Sequence, residues 1–233
     1  GNFTSNRKLM VIKSDGTIPI TWNLQTCNSD LDTMELLPAI GNLDQDSDLE
    51  IVSVTGCNSI GIFDINQPGA AKTNAYINSG KLITSPVIGD LDQDGVSEII
   101  IAGNGTEDSV QGGIHVFNIS GEELSGFPAL VDEHFDSSPA LADLDGDGDL
   151  EIIASSHRSN FIHAIHHHGF PMDGWPVGRV MDGLLRATPL IADIDGDAQL
   201  DVLLPSYGFA FSLIQEGDTR RTSGLKAWNV SGD

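Results

Sequence analysis

The sequence predicts an all-β chain, a β-propeller of four-stranded antiparallel blades that is incomplete or part of a larger propeller, and three observations carry the prediction. A nine-residue acidic pattern occurs four times in one register, with spacings of 48, 53 and 50 residues between Asp44, Asp92, Asp145 and Asp195, a repeat of about 50. Each copy stands between two short apolar runs of strand length. A third run carrying aromatics and a Gly/Pro turn follow each of the middle copies.

Taken in order, residues 8–24 match strands three and four of a repeat, with Lys8 to Ser14 as the third. The repeat units are 1–24 (partial), 36–80, 84–130, 137–178 and 187–233 (partial), forming a single array over 1–233. First strands are read at 37–41, 85–89, 138–142 and 188–192, each containing a proline and small residues. Second strands follow the acidic loops at 51–54, 99–102, 152–154 and 202–204 as continuous aliphatic runs, as inner strands packed on both faces require. Third strands are read at 60–65, 114–119, 161–165 and 225–230. Short fourth strands are expected within 121–128 and 169–176, where Pro128 and Pro176 suit an edge.

The loops themselves point to a hard cation. In Asp143-Leu-Asp-Gly-Asp-Gly-Asp-Leu-Glu151, carboxylates at alternating positions of a tight turn converge, and the ninth residue can close the shell with both oxygens. Six to eight oxygen ligands suit calcium better than magnesium, which prefers a strict octahedron and retained waters. The candidate ligands are Asn42, Asp44, Asp46, Asp48 and Glu50, then Asp90, Asp92, Asp94, Val96 and Glu98. In the second half they are Asp143, Asp145, Asp147, Asp149 and Glu151, then Asp193, Asp195, Asp197, Gln199 and Asp201, the seventh position serving through its carbonyl. Up to four Ca2+ ions are expected. Loops 90–98 and 143–151 should bind best and 42–50, with Asn42 and Ser47, weakest. An EF-hand is excluded, since its closing Glu is the twelfth residue of the loop and helices flank it.

The 233 residues, 39% hydrophobic and 19% charged, suffice for a substantial core. The net charge of -23 is concentrated, with 17 of the 34 acidic residues in the four loops, and four calcium ions would leave -15. Such a surface disfavours nucleic acid and anionic membranes as partners, and no apolar run is long enough to span a bilayer. With neither an initiator Met nor a signal peptide, a mature product or an excised piece is expected. Simple calcium loops suit the high free calcium outside cells, so a secreted or cell-surface location is expected. Sequons stand at Asn2, Asn104, Asn118 and Asn229, which makes glycosylation a property of the source.

The Asp-X-Asp-X-Asp-Gly-X-X-Glu loop after a Pro-small-aliphatic strand resembles the FG-GAP repeats of integrin α-subunit propellers and their bacterial secreted relatives. The Gly126-Phe-Pro and Gly174-Trp-Pro ends are more similar to the bacterial members, while Asn42, Ser47 and Ala198 depart from the pattern. The resemblance implies calcium on one face and ligand binding on the other. In a propeller the segments holding Cys27 and Cys57 emerge on the face opposite the calcium loops, so a disulfide between them is expected, with two buried free thiols as the alternative. Such a bridge would stabilise by about 3 to 4 kcal/mol through loop-closure entropy.

No nucleophile or base motif stands out, so the expected function is a noncatalytic extracellular module for adhesion, ligand binding or surface assembly. The alternative is a fragment of a propeller-fold secreted polysaccharide lyase or hydrolase, which would need convergent Tyr, His, Arg or Lys. Expected partners are an extracellular protein or carbohydrate, and other copies of the chain through open blade edges. His157 and Arg158, between strands two and three, are candidate ligand contacts, although an ordinary solvated loop is the simpler reading. His163, His166, His167 and His168 are read as an exposed polar edge, split between faces by strand alternation.

Overall fold

The computed structural model describes residues 8–24, 36–55, 59–67, 71–76, 81–82, 84–104, 112–131, 134–156, 161–177, 184–209 and 221–228. Cys27, Cys57, His157, Arg158, Asn2 and Asn229 lie outside the described residues. Among the described residues there is no helix, and the strands form five small antiparallel sheets.

The first sheet is the hairpin of β1 (Lys8–Val11) and β2 (Ile20–Asn23). The second runs in order through β3 (Ala39–Gly41), β4 (Glu50–Thr55), β5 (Ser59–Asp64) and β6 (Thr73–Tyr76). In the third, β7 (Lys81–Leu82) and β8 (Val87–Gly89) both pair with β9 (Glu98–Asn104), followed by β10 (Gly112–Phe117) and β11 (Ala129–Val131). The fourth holds β12 (Ala140–Ala142), β13 (Glu151–Ser155) and β14 (Ile162–Ile165). In the fifth, β15 (Leu184–Leu185) and β16 (Leu190–Ala192) pair with β17 (Asp201–Phe209), which pairs with β18 (Arg221–Trp228).

Strand alternation explains how these sheets stack in chain order. Ile99 and Ile101 of β9 turn toward Val52, Val54, Ile60 and Ile62 of the second sheet. Ile100 and Ala102, one residue out of phase, meet Ile152, Ala154 and Ile165 of the fourth. Ile153, Ile162 and Ala164 in turn meet Val202 and Leu204 of the fifth, and Trp22 of the first sheet packs on Ile51 and Phe63 of the second. A second strand with neighbours on both faces has no polar side, which is why β4 and β13 are buried throughout. The small residue ending each first strand receives the next first strand. A Cβ on Gly41 would lie 2.7 Å from Ile88 Cγ2, and one on Gly89 would lie 2.4 Å from Leu141 Cδ1.

Two expectations about strands need correction. The first strand of the third sheet, read at 85–89, comes in two pieces, β7 and β8, so this sheet also takes in Lys81–Leu82, ahead of the unit read from residue 84. The same split sets β15 apart from β16. A proline between the pieces offers no N–H, and the Thr84 side chain fills the gap: Oγ1 donates to Ala102 O at 2.9 Å and accepts Ala102 N–H at 3.0 Å. Fourth strands within 121–128 and 169–176 are also not formed as read. Those segments are turns, tied to the third strand by single bridges such as Phe117 to Glu123 and Ile165 to Pro171, and β11 starts only after Pro128. Gly121, Gly126, Gly169 and Gly174 all take positive φ there, which bends the chain away from the ladder.

Candidate metal centres

Each acidic loop joins a first strand to the second strand of the same sheet, and the same hydrogen bonds build all four. The ninth residue opens the second strand and folds one oxygen back onto the N–H of the second loop residue. Glu50 Oε2 accepts Leu43 N–H at 2.9 Å, Glu98 Oε2 accepts Leu91 N–H at 2.9 Å, and Glu151 Oε2 accepts Leu144 N–H at 2.8 Å. In the fourth loop Asp201 Oδ2 accepts Ile194 N–H at 3.0 Å. Leu43, Leu91 and Leu144 are buried plugs in the clusters between their own sheet and the next, so the loop is pinned to the core at both ends. Ile194 is 52% exposed, in keeping with its place in the last described sheet.

The first loop residue sets the turn. Asp143 accepts Gly146 N–H at 2.7 Å and Gly148 N–H at 3.2 Å, and Asp193 accepts Gly196 N–H at 2.7 Å and Ala198 N–H at 3.0 Å. Asn42 keeps part of this role, with Oδ1 accepting Gln45 N–H at 2.7 Å. The sixth position is left-handed at Gly95, Gly148 and Ala198, as the sharp turn requires. The fourth position is left-handed as well, including Gln45 (φ 61°) and Gln93 (φ 54°), which nothing in a Gln side chain announces.

These turns bring carboxylates together. Asp44, Asp46 and Glu50 offer oxygens within 4.8 Å of one another, as do Asp90, Asp92 and Glu98, then Asp143, Asp145 and Asp147, then Asp193, Asp195 and Asp197. Side chains at the seventh position point elsewhere: Asp48 Oδ2 accepts from Asn66 Nδ2, and Asp149 Oδ2 pairs with His167 Nδ1 at 3.0 Å. The side chains of Asp48 and Asp149 are thus engaged outside the converging sets. Asp94 and Asp201 are not among these converging carboxylates.

The charge is poorly compensated without a cation. Two carboxylates about 5 Å apart repel by about 3 kcal/mol at an effective dielectric near 20. Burial, reinforced by Asp92, Asp94 and Asp90, pushes the Glu98 carboxyl up to about 7. Burial raises Glu50 and Glu151 in the same direction. Glu50 Oε1 and Asp90 Oδ1 are buried with no hydrogen-bond partner, and such atoms normally find a partner. The residues therefore fit a metal ion: in each loop three carboxylate side chains converge, and Glu50 Oε1 and Asp90 Oδ1 have no hydrogen-bond partner.

The histidines are an exposed polar edge only in part: His168 is exposed, His166 and His167 are half-buried, and His163 is buried. His163 is 8% exposed on β14, edge-on to Phe135 and Phe161. His166 Nδ1 lies 3.0 Å from Glu151 Oε1, and Asp145, Glu151 and His166 form a fifth converging set. The signal was in the pairing: Ile152 opposes Ile165, so the next pair outward is Glu151 with His166. The same extension places Asp64 opposite Glu50.

Beside loop 42–50 an apolar groove of about 480 Å³ runs between β1 and the second sheet, past Met10, Ile40, Leu49 and Ile65. No protein-family model matches this chain, and no curated protein matches it.

Proposed function

We propose that the chain is a noncatalytic, extracellular β-propeller module of the FG-GAP, integrin α-like type, held in shape by calcium and serving adhesion, ligand binding or surface assembly. One observation carries the reading: at the ninth loop position Glu50, Glu98 and Glu151 are buried, each with one oxygen tied to a backbone N–H, while the other oxygen of Glu50 has no hydrogen-bond partner and that of Glu151 meets His166. A carboxylate shielded this completely is stable as an anion only beside a cation. The crowding of oxygens without nitrogen or sulfur in loops 42–50, 90–98 and 193–201 favours calcium. Stacking of small antiparallel sheets in chain order, two of them four-stranded among the described residues and with every acidic loop on the same connection, supports a propeller. The resulting acidic rim suits an extracellular protein or carbohydrate partner and no nucleic acid.

The reading is tested by thermal unfolding in calcium, in magnesium and in chelator. Calcium should raise the melting temperature well above the chelated value, and magnesium should do so less. An identical melting temperature in all three would reject it.

A further inference from the structure

Loop 42–50 meets an ammonium group. Lys72 Nζ donates to Asp44 Oδ2 at 2.5 Å, with 30% and 24% of the two side chains exposed. The stem of Lys72 is anchored, because its own backbone N–H donates to Ile62 O at 2.7 Å. Asp44, Glu50 and Asp64 all favour its charged form. Across the ladder from Glu50 stands Asp64, whereas Glu151 has His166 beside it, so no imidazole meets Glu50 from that position.

The same loop keeps a vacant ligand atom. Glu50 is 1% exposed; Oε2 is taken by Leu43 N–H, and Oε1 has no partner. Asp44, Asp46 and Glu50 still converge within 4.8 Å. A divalent cation bound by these three would need an Asp44 carboxylate that is already engaged by Lys72. The ammonium supplies one positive charge to Asp44 and reaches no hydrogen-bonding distance of Glu50 Oε1, so it satisfies the loop only in part.

We infer that Lys72 is a built-in competitor that sets the cation affinity of loop 42–50: it holds the loop together when calcium is scarce and must leave Asp44 before a divalent cation binds. The inference rests on the reading of the acidic loops as cation sites. It makes the four loops unequal, with 42–50 filling last for a reason beyond Asn42 and Ser47.

Calcium titration of the full chain by isothermal calorimetry, with bound ions counted by native mass spectrometry, tests this in the parent protein, Lys72→Met and Lys72→Arg. Melting in saturating calcium checks that each variant is folded. Lys72→Met should tighten the weakest site by about tenfold and leave the others unchanged, since one competing charge is removed at close range. Lys72→Arg, which keeps the charge, should not tighten it. Adding Glu50→Gln to Lys72→Met should abolish the gain, which assigns it to this loop. If calcium binds elsewhere but Lys72→Met leaves the weakest site unchanged or weaker, the competitor role is overturned and the cation reading stands. If no calcium binds to the parent protein, both fall.

Discussion

Glu98, buried at the start of β9, accepts the backbone N–H of Leu91 at 2.9 Å and so ties the acidic loop to the plug that holds it in the core. Burial and three nearby aspartates raise its carboxyl from 4.5 to about 7, so the metal-free folded chain carries a proton that the unfolded chain releases at lower pH. The folded form is thereby favoured fully below 4.5, and that contribution is lost as pH rises to about 7. Denaturant unfolding in chelator should show stability falling across this window, with a smaller slope for Glu98→Gln. Calcium must expel the proton, so calcium affinity should rise with pH over the same range. A metal-free protein that grows more stable across this window would contradict the assignment.

Thr84 replaces a missing piece of strand. Its hydroxyl satisfies both Ala102 N–H and Ala102 O inside the protein. Thr84→Val keeps the shape and leaves both groups unpaired, which should cost about 1 to 3 kcal/mol. Thr84→Ser should cost less than Thr84→Val, as measured by urea unfolding with calcium present.

Gly126 and Gly169 lie back to back in the turns after the third strands of neighbouring sheets. A Cβ on Gly126 would sit 2.2 Å from His168 O, and one on Gly169 would sit 2.3 Å from Gly126 O, both backbone atoms. Positive φ adds strain at each. Gly169→Ala should therefore destabilise by about 2 to 4 kcal/mol, against about 1 kcal/mol for Gly16→Ala, where φ is positive but the space is open. Equal losses at the two positions would remove steric contact as the cause.

The acidic loops and the second strands were legible in the sequence because each depends on local pattern. Alternating carboxylates announce a converging loop, and an unbroken run such as Ile99 to Ala102 announces burial on two faces. What was not legible depends on partners distant in the chain. The divided first strand depends on a hydroxyl at Thr84 reaching Ala102. The contact of His166 with Glu151 depends on register, which alternation alone does not supply. The contact of Lys72 with Asp44 spans 28 residues and a turn whose course no motif marks. The left-handed Gln45 has its N–H held by Asn42 Oδ1, and Gln93 takes the same conformation at the same loop position, which no Gln side chain announces.

Calcium scatters X-rays anomalously, so crystals grown with it locate the ion independently of any assumed ligand. Peaks should appear in loops 90–98 and 143–151, with carboxylate oxygens of Asp92, Glu98, Asp145 and Asp147 at about 2.3 to 2.6 Å. The weakest peak should fall in loop 42–50, beside Lys72. Well-ordered loops with no anomalous peak, in crystals holding millimolar calcium, would contradict the assignment of these loops as calcium sites.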